Sequence, residues 1–163
     1  IGSLGVERYD EKYSELNNIQ GRELGFVLSK DYWGQGIMPE AVNAVLRWLF
    51  CDKGLDAVFC GHFTRNLRSA RVQEKCGFIP YKTGIYETLM GTKEPNQMRV
   101  LERRHWEEMH SGELSAEDKK ILLYLRQKRT LLDFLDRGAI TPEQFDKSFG
   151  DLKKKMEIRE EDV

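Results

Sequence analysis

The sequence predicts an α/β (α+β) domain followed by a separate two-helix hairpin, and three observations carry that prediction. Short apolar runs of strand length alternate with segments whose apolar residues recur at helical spacing. A glycine-bearing loop joins one such run directly to a helix start. The last third of the chain turns highly charged and holds two helix-capping sequences.

Taken in order, residues 1–7 and 22–29 are β-compatible runs separated by the polar stretch 8–21, whose Asn17-Asn18 pair signals a turn, so they read as adjacent antiparallel strands. Gly34 and Gly36 follow in a loop. Pro39 then opens a segment carrying Val42, Val45, Leu46 and Leu49 on one face. Residues 55–63 form another apolar run, and residues 66–76 have helical character closed by Gly77. Residues 78–86 and 98–101 complete the set of strands.

Composition shifts after His110. Ser115-x-x-Asp118 is a capping box that starts a charged amphipathic helix reaching about Asp136, and Gly138 ends it. Thr141-Pro142-Glu143-Gln144 starts a second helix, with threonine as cap, proline in the first turn and glutamine reaching back. Phe145, Phe149, Leu152 and Met156 form its seam, expected to meet Ile121, Leu125, Leu132 and Leu135. The division is therefore 1–110 for the α/β domain and 111–163 for the hairpin.

The chain has 163 residues, 40% of them hydrophobic, enough for one modest core and an appendage. Its 26 basic and 27 acidic residues nearly cancel, so no long-range field recruits nucleic acid or an anionic membrane. No run approaches the roughly 20 apolar residues of a membrane span and no export signal stands near the start, which gives the expectation of a cytoplasmic protein. Cys51, Cys60 and Cys76 sit among apolar neighbours and read as reduced core residues, and His62, His105 and His110 lack metal-ligand spacing, so no metal is expected. Residues 1–6 read as the interior of a strand, and further sequence is expected upstream.

The segment Tyr32-Trp33-Gly34-Gln35-Gly36-Ile37-Met38-Pro39-Glu40-Ala41 places glycines between a strand end and a helix start. That arrangement suits an anion: glycines allow close backbone approach, and unsatisfied N–H groups with the helix dipole face outward. Alone it reads sooner as an ordinary turn with glycines for steric reasons. The second segment, Asn66-x-x-Ser69-x-x-Val72-x-Glu74-Lys75-x-Gly77-Phe78, follows an apolar strand some thirty residues later. Together the two resemble the coenzyme-A signature of GNAT acyltransferases, in the branch similar to ribosomal-protein N-terminal acetyltransferases. The resemblance runs from residue 1 to about residue 109, residues 99–106 being similar to that branch's final strand and following tryptophan, and leaves the hairpin uncovered.

The resemblance implies a mixed, largely antiparallel sheet with flanking helices, acetyl-CoA as cofactor, and transfer of its acetyl group to a primary amine by direct attack in a ternary complex. It implies that the pyrophosphate meets the backbone of Trp33, Gly34, Gln35, Gly36 and Ile37. The pantetheine arm would lie along Phe26, Val27 and Leu28, with an N–H near Val27 or Leu28 polarising the thioester. Asn66 would hold the pantetheine from the neighbouring strand, and of Arg65, Arg68 and Arg71 one is expected at the phosphates, assigned here to Arg71. Ser69 resembles the proton donor of this branch, although a serine hydroxyl is a poor acid unaided.

Departures from the pattern stand at four places. Asp31 occupies a position where the superfamily carries arginine or glutamine, and is expected to point away or cap a turn. Gln73 replaces a tyrosine that protonates the departing thiolate in many members. Gly61 stands where some relatives carry glutamate, and His62 beside it, a candidate base by its near-neutral pKa, would face the other way on an ideal strand. The family's first strand, two helices and second strand precede the part matched here, so the acceptor, a small-molecule amine or a protein N-terminus, is not legible, and a completing chain or a homo-oligomer is a possible partner. The alternative is a non-catalytic module of the same fold used for binding or oligomerisation.

Overall fold

The structure, a computed structural model, describes residues 1–8 and 19–158. The Asn17-Asn18 turn lies outside the described residues. The backbone divides into two compact units, one comprising Ile1–Trp48 and Leu55–His110, the other Leu49–Gly54 and Ser111–Val163.

The first unit holds a five-stranded sheet of β1 (Gly2–Arg8), β2 (Gly21–Leu28), β3 (Ala57–Phe63), β4 (Ile79–Glu87) and β5 (Lys93–Glu102), in the order β1-β2-β3-β5-β4. Every pairing is antiparallel except that of β2 with β3. Helix α1 (Ile37–Arg47) supplies the crossover between those parallel strands, α2 (Leu67–Lys75) follows β3, and α3 (Arg103–Met109) follows β5. β3 is central, with Ala57, Val58, Phe59 and Cys60 all at most 1% exposed. Buried on both faces, it reads as a continuous apolar run with no alternation to betray its register. Met38, Val42 and Leu46 form the buried stripe of α1, and burying a side chain such as Leu46 contributes roughly 1.5–3 kcal/mol.

β2 and β3 are in register at only three positions, Gly21 with Ala57, Arg22 with Val58 and Glu23 with Phe59. Beyond them the strands diverge, making a fork with a short stem. The stem is tied at its base. Asp56, just before β3, accepts from the Gln20 amide through Oδ2 at 3.1 Å and binds Arg103 Nη2 through Oδ1 at 3.1 Å, while its own carbonyl accepts the Arg103 amide at 2.8 Å. Arg103 also lies 3.8 Å from Glu107, so this buried guanidinium is answered from both sides.

In the second unit, α4 (Ala116–Asp136) and α5 (Pro142–Met156) each begin with a complete capping box, Ser115 with Asp118 and Thr141 with Gln144. Their shared core is Ile121, Tyr124, Leu125, Leu152 and Ile158, with Leu131, Phe149 and Met156 against it. Tyr124 and Leu131 thus take places expected for Leu132 and Leu135, and Phe145 contributes by stacking on Phe149, with ring centroids 5.5 Å apart. The second difference concerns Leu49, expected on the α1 face. It lies instead in a π-helical turn, Trp48–Asp52, whose buried Leu49, Phe50 and Cys51 belong to this unit. Gly54 closes that segment with φ 63°, and a Cβ there would come within 2.9 Å of Leu125 on α4. Only glycine meets both demands.

Candidate functional site

The fork creates the site. Past the stem, β2 keeps β1 on one side and, among the described residues, has no strand on the other. The Ser29 amide donates to the Ile1 carbonyl at 2.7 Å, so by the alternation of an antiparallel ladder Val27 turns its N–H toward β1, while Phe26 and Leu28 turn theirs into the gap. Trp33 marks that side, its Nε1–H donating to the Leu28 carbonyl at 2.8 Å. Of the two donors expected at this strand, Leu28 faces the gap and Val27 does not.

A 3-10 turn, Lys30–Tyr32, bends the chain into the glycine loop. Gly34 and Gly36 have φ of 77° and 80°, and a Cβ at either would meet no protein atom within 4 Å. Their need for glycine is conformational, and the space outside them is open to a ligand. The first helical bond of α1 runs from Glu40 N–H to the Gly36 carbonyl at 3.2 Å, and Pro39 has no amide N–H, so Ile37 and Met38 present the free donors of this helix start. Asp31 uses its backbone carbonyl to accept from Gln35 Nε2 at 3.0 Å. The Gln35 side chain is therefore directed back along the loop.

Opposite the loop stands α2. Asn66 lies beyond the end of β3 and caps this helix, its Oδ1 accepting the Ser69 amide at 3.2 Å, rather than projecting from the strand itself. Arg68, Arg71 and Lys75, spaced by three and four, line a cavity of about 470 Å³ together with Phe26, Val27, Leu28, Trp33, Gly34, Gly36 and Ile37. The Arg68 guanidinium sits 4.5 Å from the centroid of the Trp33 ring, which holds it over the loop. Arg65 is turned elsewhere, paired with Glu94 at 2.9 Å on the exposed surface. Two arginines and a lysine thus line this cleft where one arginine was expected.

A second cavity of about 510 Å³ adjoins the first and shares Phe26, Asn66 and Ser69 with it. Its lining includes Glu23, Gly61, His62, Asn96 and Met98. Glu23, at the last paired position of the stem, was not singled out from the sequence. Burial first, and then Glu7 opposite it on β1, raise its carboxyl above the ordinary range. The signal was present: a single acid, next to Arg22, just before the apolar run 24–28.

His62 is buried, and its Nδ1 lies 2.9 Å from Gln73 Oε1. Desolvation pulls the ring below its ordinary range, with Arg99 adding to this and Gln73 and Glu74 opposing it. Gln73 is fully buried, and its Nε2 reaches the Gly61 carbonyl and Ser69 Oγ, each at 3.3 Å. The residue noted only as a missing phenol is thus the hub joining His62, Gly61 and Ser69. Its place on the inward stripe of α2, one turn after the buried Ala70, was the sequence signal. Cys60 and Cys76 are free and buried thiols, pushed up to about 12 and about 11 by burial, and inert as nucleophiles. Among the described residues no group of three His, Cys, Asp or Glu gathers to hold a metal. No helix among them is long and apolar enough to cross a membrane.

Residues 1–79 match the family model described as acetyltransferase (GNAT) domain. The chain is 42% identical over 67 residues to the probable N-acetyltransferase YjcK of Bacillus subtilis, covering 41% of this chain and 36% of that protein. It is 29% identical over 96 residues to the FsC-acetyl coenzyme A-N(2)-transacetylase of Aspergillus fumigatus, covering 57% of this chain and 41% of that one. The chain therefore spans about two fifths of the length of these relatives. In fold it is similar to the ribosomal-protein-S5-alanine acetyltransferase of Vibrio fischeri, with TM-score 0.57 and 24% identity over 65% of this chain and 56% of that one. An acetyltransferase of Bacillus anthracis matches with TM-score 0.53 and 20% identity, over 64% of this chain and 59% of the other.

Proposed function

From a chain whose residues 1–79 carry the GNAT acetyltransferase domain, we propose that residues 1–110 bind acetyl-CoA in the fork and present its acetyl group to a primary amine held in the adjoining cavity. The observation that carries this reading is the juxtaposition of an unpaired strand edge, a left-handed glycine loop and a basic helix stripe on one cleft. Each supplies a separate need. The strand edge pairs with an extended amide-bearing arm, the loop and the start of α1 offer backbone donors to a pyrophosphate, and Arg68, Arg71 and Lys75 neutralise phosphate charge.

The Leu28 amide, fixed by the ladder and aimed into the gap, is the donor that would polarise the thioester carbonyl. Ser69, lining both cavities, stands at their junction. In the second cavity, Glu23 attracts a cationic amine, and its raised pKa makes it a better proton acceptor than an exposed glutamate. His62, bound through Nδ1 to Gln73, serves this arrangement as a support and not as the base. Positioning of the two reactants supplies most of the catalysis in this scheme. The amine is a small molecule or a protein N-terminus. The second reading, a module that binds without catalysis, draws on Gly61 and Gln73, which leave no acidic side chain at the two positions where relatives carry one.

The test is calorimetric titration of the chain with acetyl-CoA, alongside a variant with Gly34→Val and Gly36→Val. Saturable binding by the native chain, weakened at least about a hundredfold in the variant, supports the coenzyme site. A folded native chain that takes up no acetyl-CoA sinks it. Binding without acetyl transfer to any amine favours the second reading.

A further inference from the structure

We propose that Gln73 is a positioning residue for the departing thiol: it holds Ser69 Oγ as a hydrogen-bond acceptor, so that the serine's own proton is directed into the cleft. The inference rests on the coenzyme reading above and deepens it. Its basis is the geometry of one buried amide. A backbone carbonyl can only accept, so the group of Gln73 facing the Gly61 carbonyl at 3.3 Å must be the NH2. The same nitrogen lies 3.3 Å from Ser69 Oγ, and with its protons directed at Gly61 and Ser69 the serine oxygen is the acceptor there. The amide oxygen is then left for His62 Nδ1 at 2.9 Å, and an oxygen requires a proton on that nitrogen.

Three partners therefore fix one glutamine, and the glutamine fixes one serine. Ser69 cannot turn its proton back toward Gln73, whose facing group is already a donor, and Ser69 lines both cavities at their junction. In the transfer itself the amine nitrogen forms a bond to the acetyl carbon, the C–S bond breaks with its electron pair on sulfur, and the surplus proton of the amine passes to Glu23 and on to solvent. An alkoxide is a stronger base than a thiolate, so Ser69 stabilises the thiolate by donating a hydrogen bond and does not surrender its proton. Gln73 raises the quality of that donor by occupying the serine's lone pair. Burial most strongly disfavours a second proton on His62 and Arg99 on β5 adds to this, while the hydrogen bond with Gln73 and Glu74 on α2 oppose them; the Gln73 oxygen is what places the proton on Nδ1.

The experiment reads the acidity of the thiol of bound coenzyme A, from thiolate ultraviolet absorbance against pH, in the native chain, Ser69→Ala, Gln73→Leu and Gln73→Glu, with calorimetry establishing occupancy in each. The thiol of the native complex is expected to be about tenfold more acidic than that of free coenzyme A. Ser69→Ala and Gln73→Leu each abolish that shift, and the double variant loses no more than either. Gln73→Glu loses at least as much, because a carboxylate accepts the serine proton and turns it from the cleft. In the free protein, imidazole nitrogen NMR should show His62 protonated on Nδ1, and this preference should vanish in Gln73→Leu. A thiol shift that survives Gln73→Leu but not Ser69→Ala overturns the role of Gln73 and leaves the coenzyme reading standing. So does a native complex with no shift at all. Failure of coenzyme A to bind overturns the coenzyme reading and this inference with it.

Discussion

The stem and the open limb of the fork are consecutive stretches of the same two strands, and they treat polar groups in opposite ways. At the stem, Asp56 is surrounded by donors, the Gln20 amide and the Arg103 guanidinium, and its own carbonyl takes the Arg103 amide. Its charge is spent on holding two strands and a helix together. A few residues on, Glu23 faces Glu7 across the ladder and opens onto a cavity, with no ion pair to either among the described residues. The stem satisfies what it buries. The cleft beyond it leaves backbone donors on β2, the Glu23 carboxylate at the end of the stem and the basic stripe of α2 open, and open polar groups are what a ligand can use.

The largest effect that would test this contrast is at the stem. Asp56→Ala removes the carboxylate bound to the buried Arg103 guanidinium at 3.1 Å, and should lower the stability of the first unit by about 2–3 kcal/mol, measured by denaturant unfolding. Acetyl-CoA affinity of the folded fraction should stay within about twofold, since no cleft residue is touched. A matching loss of affinity would mean that stem and limb are one cooperative element.

A smaller and opposite pattern is expected where α2 lines the cleft. Replacing Arg68 and Arg71 together by glutamine should weaken acetyl-CoA binding by about tenfold, reduce its salt dependence, and leave the unfolding midpoint nearly unchanged. Stability that falls along with affinity would assign the stripe to folding instead.

The smallest effect concerns the carboxylate at the end of the stem. Glu23 has a folded pKa raised above the unfolded 4.5, so the folded state binds its proton more tightly and stability declines as pH rises from about 4.5 through the folded value. Glu23→Gln should therefore be slightly more stable than the native chain at neutral pH, and the advantage should vanish at pH 4 and below. An advantage that persists in acid would show that charge is not its cause.

Much of this was legible in residues. The capping boxes at Ser115 and Thr141 were readable because they depend on side chains three residues apart in a local turn. The glycines at 34 and 36 were readable for a similar reason: their left-handed backbone is a local requirement. Tyr124 and Leu131 were not read into the hairpin core, because which of several adjacent apolar residues faces inward is set by the partner helix. Leu49 was read as continuing the α1 stripe because helical periodicity carried straight through Trp48, where the structure widens into a π turn. Gln73 was noticed only for what it was not, since nothing local says that a glutamine on a charged helix is fully buried.

By itself the sequence determined the α/β alternation, the glycine loop before α1 and the helix ends, all of which follow from propensities and contacts spanning a few residues; the two motifs were legible only through their resemblance to a family signature. Tertiary structure alone decided that β2 and β3 part after three positions, that Leu28 and not Val27 offers its amide to the gap, and that Gln73 meets His62, Gly61 and Ser69. Those outcomes depend on register between strands and on which helix face turns inward, and both are fixed only when distant segments compete for the same core.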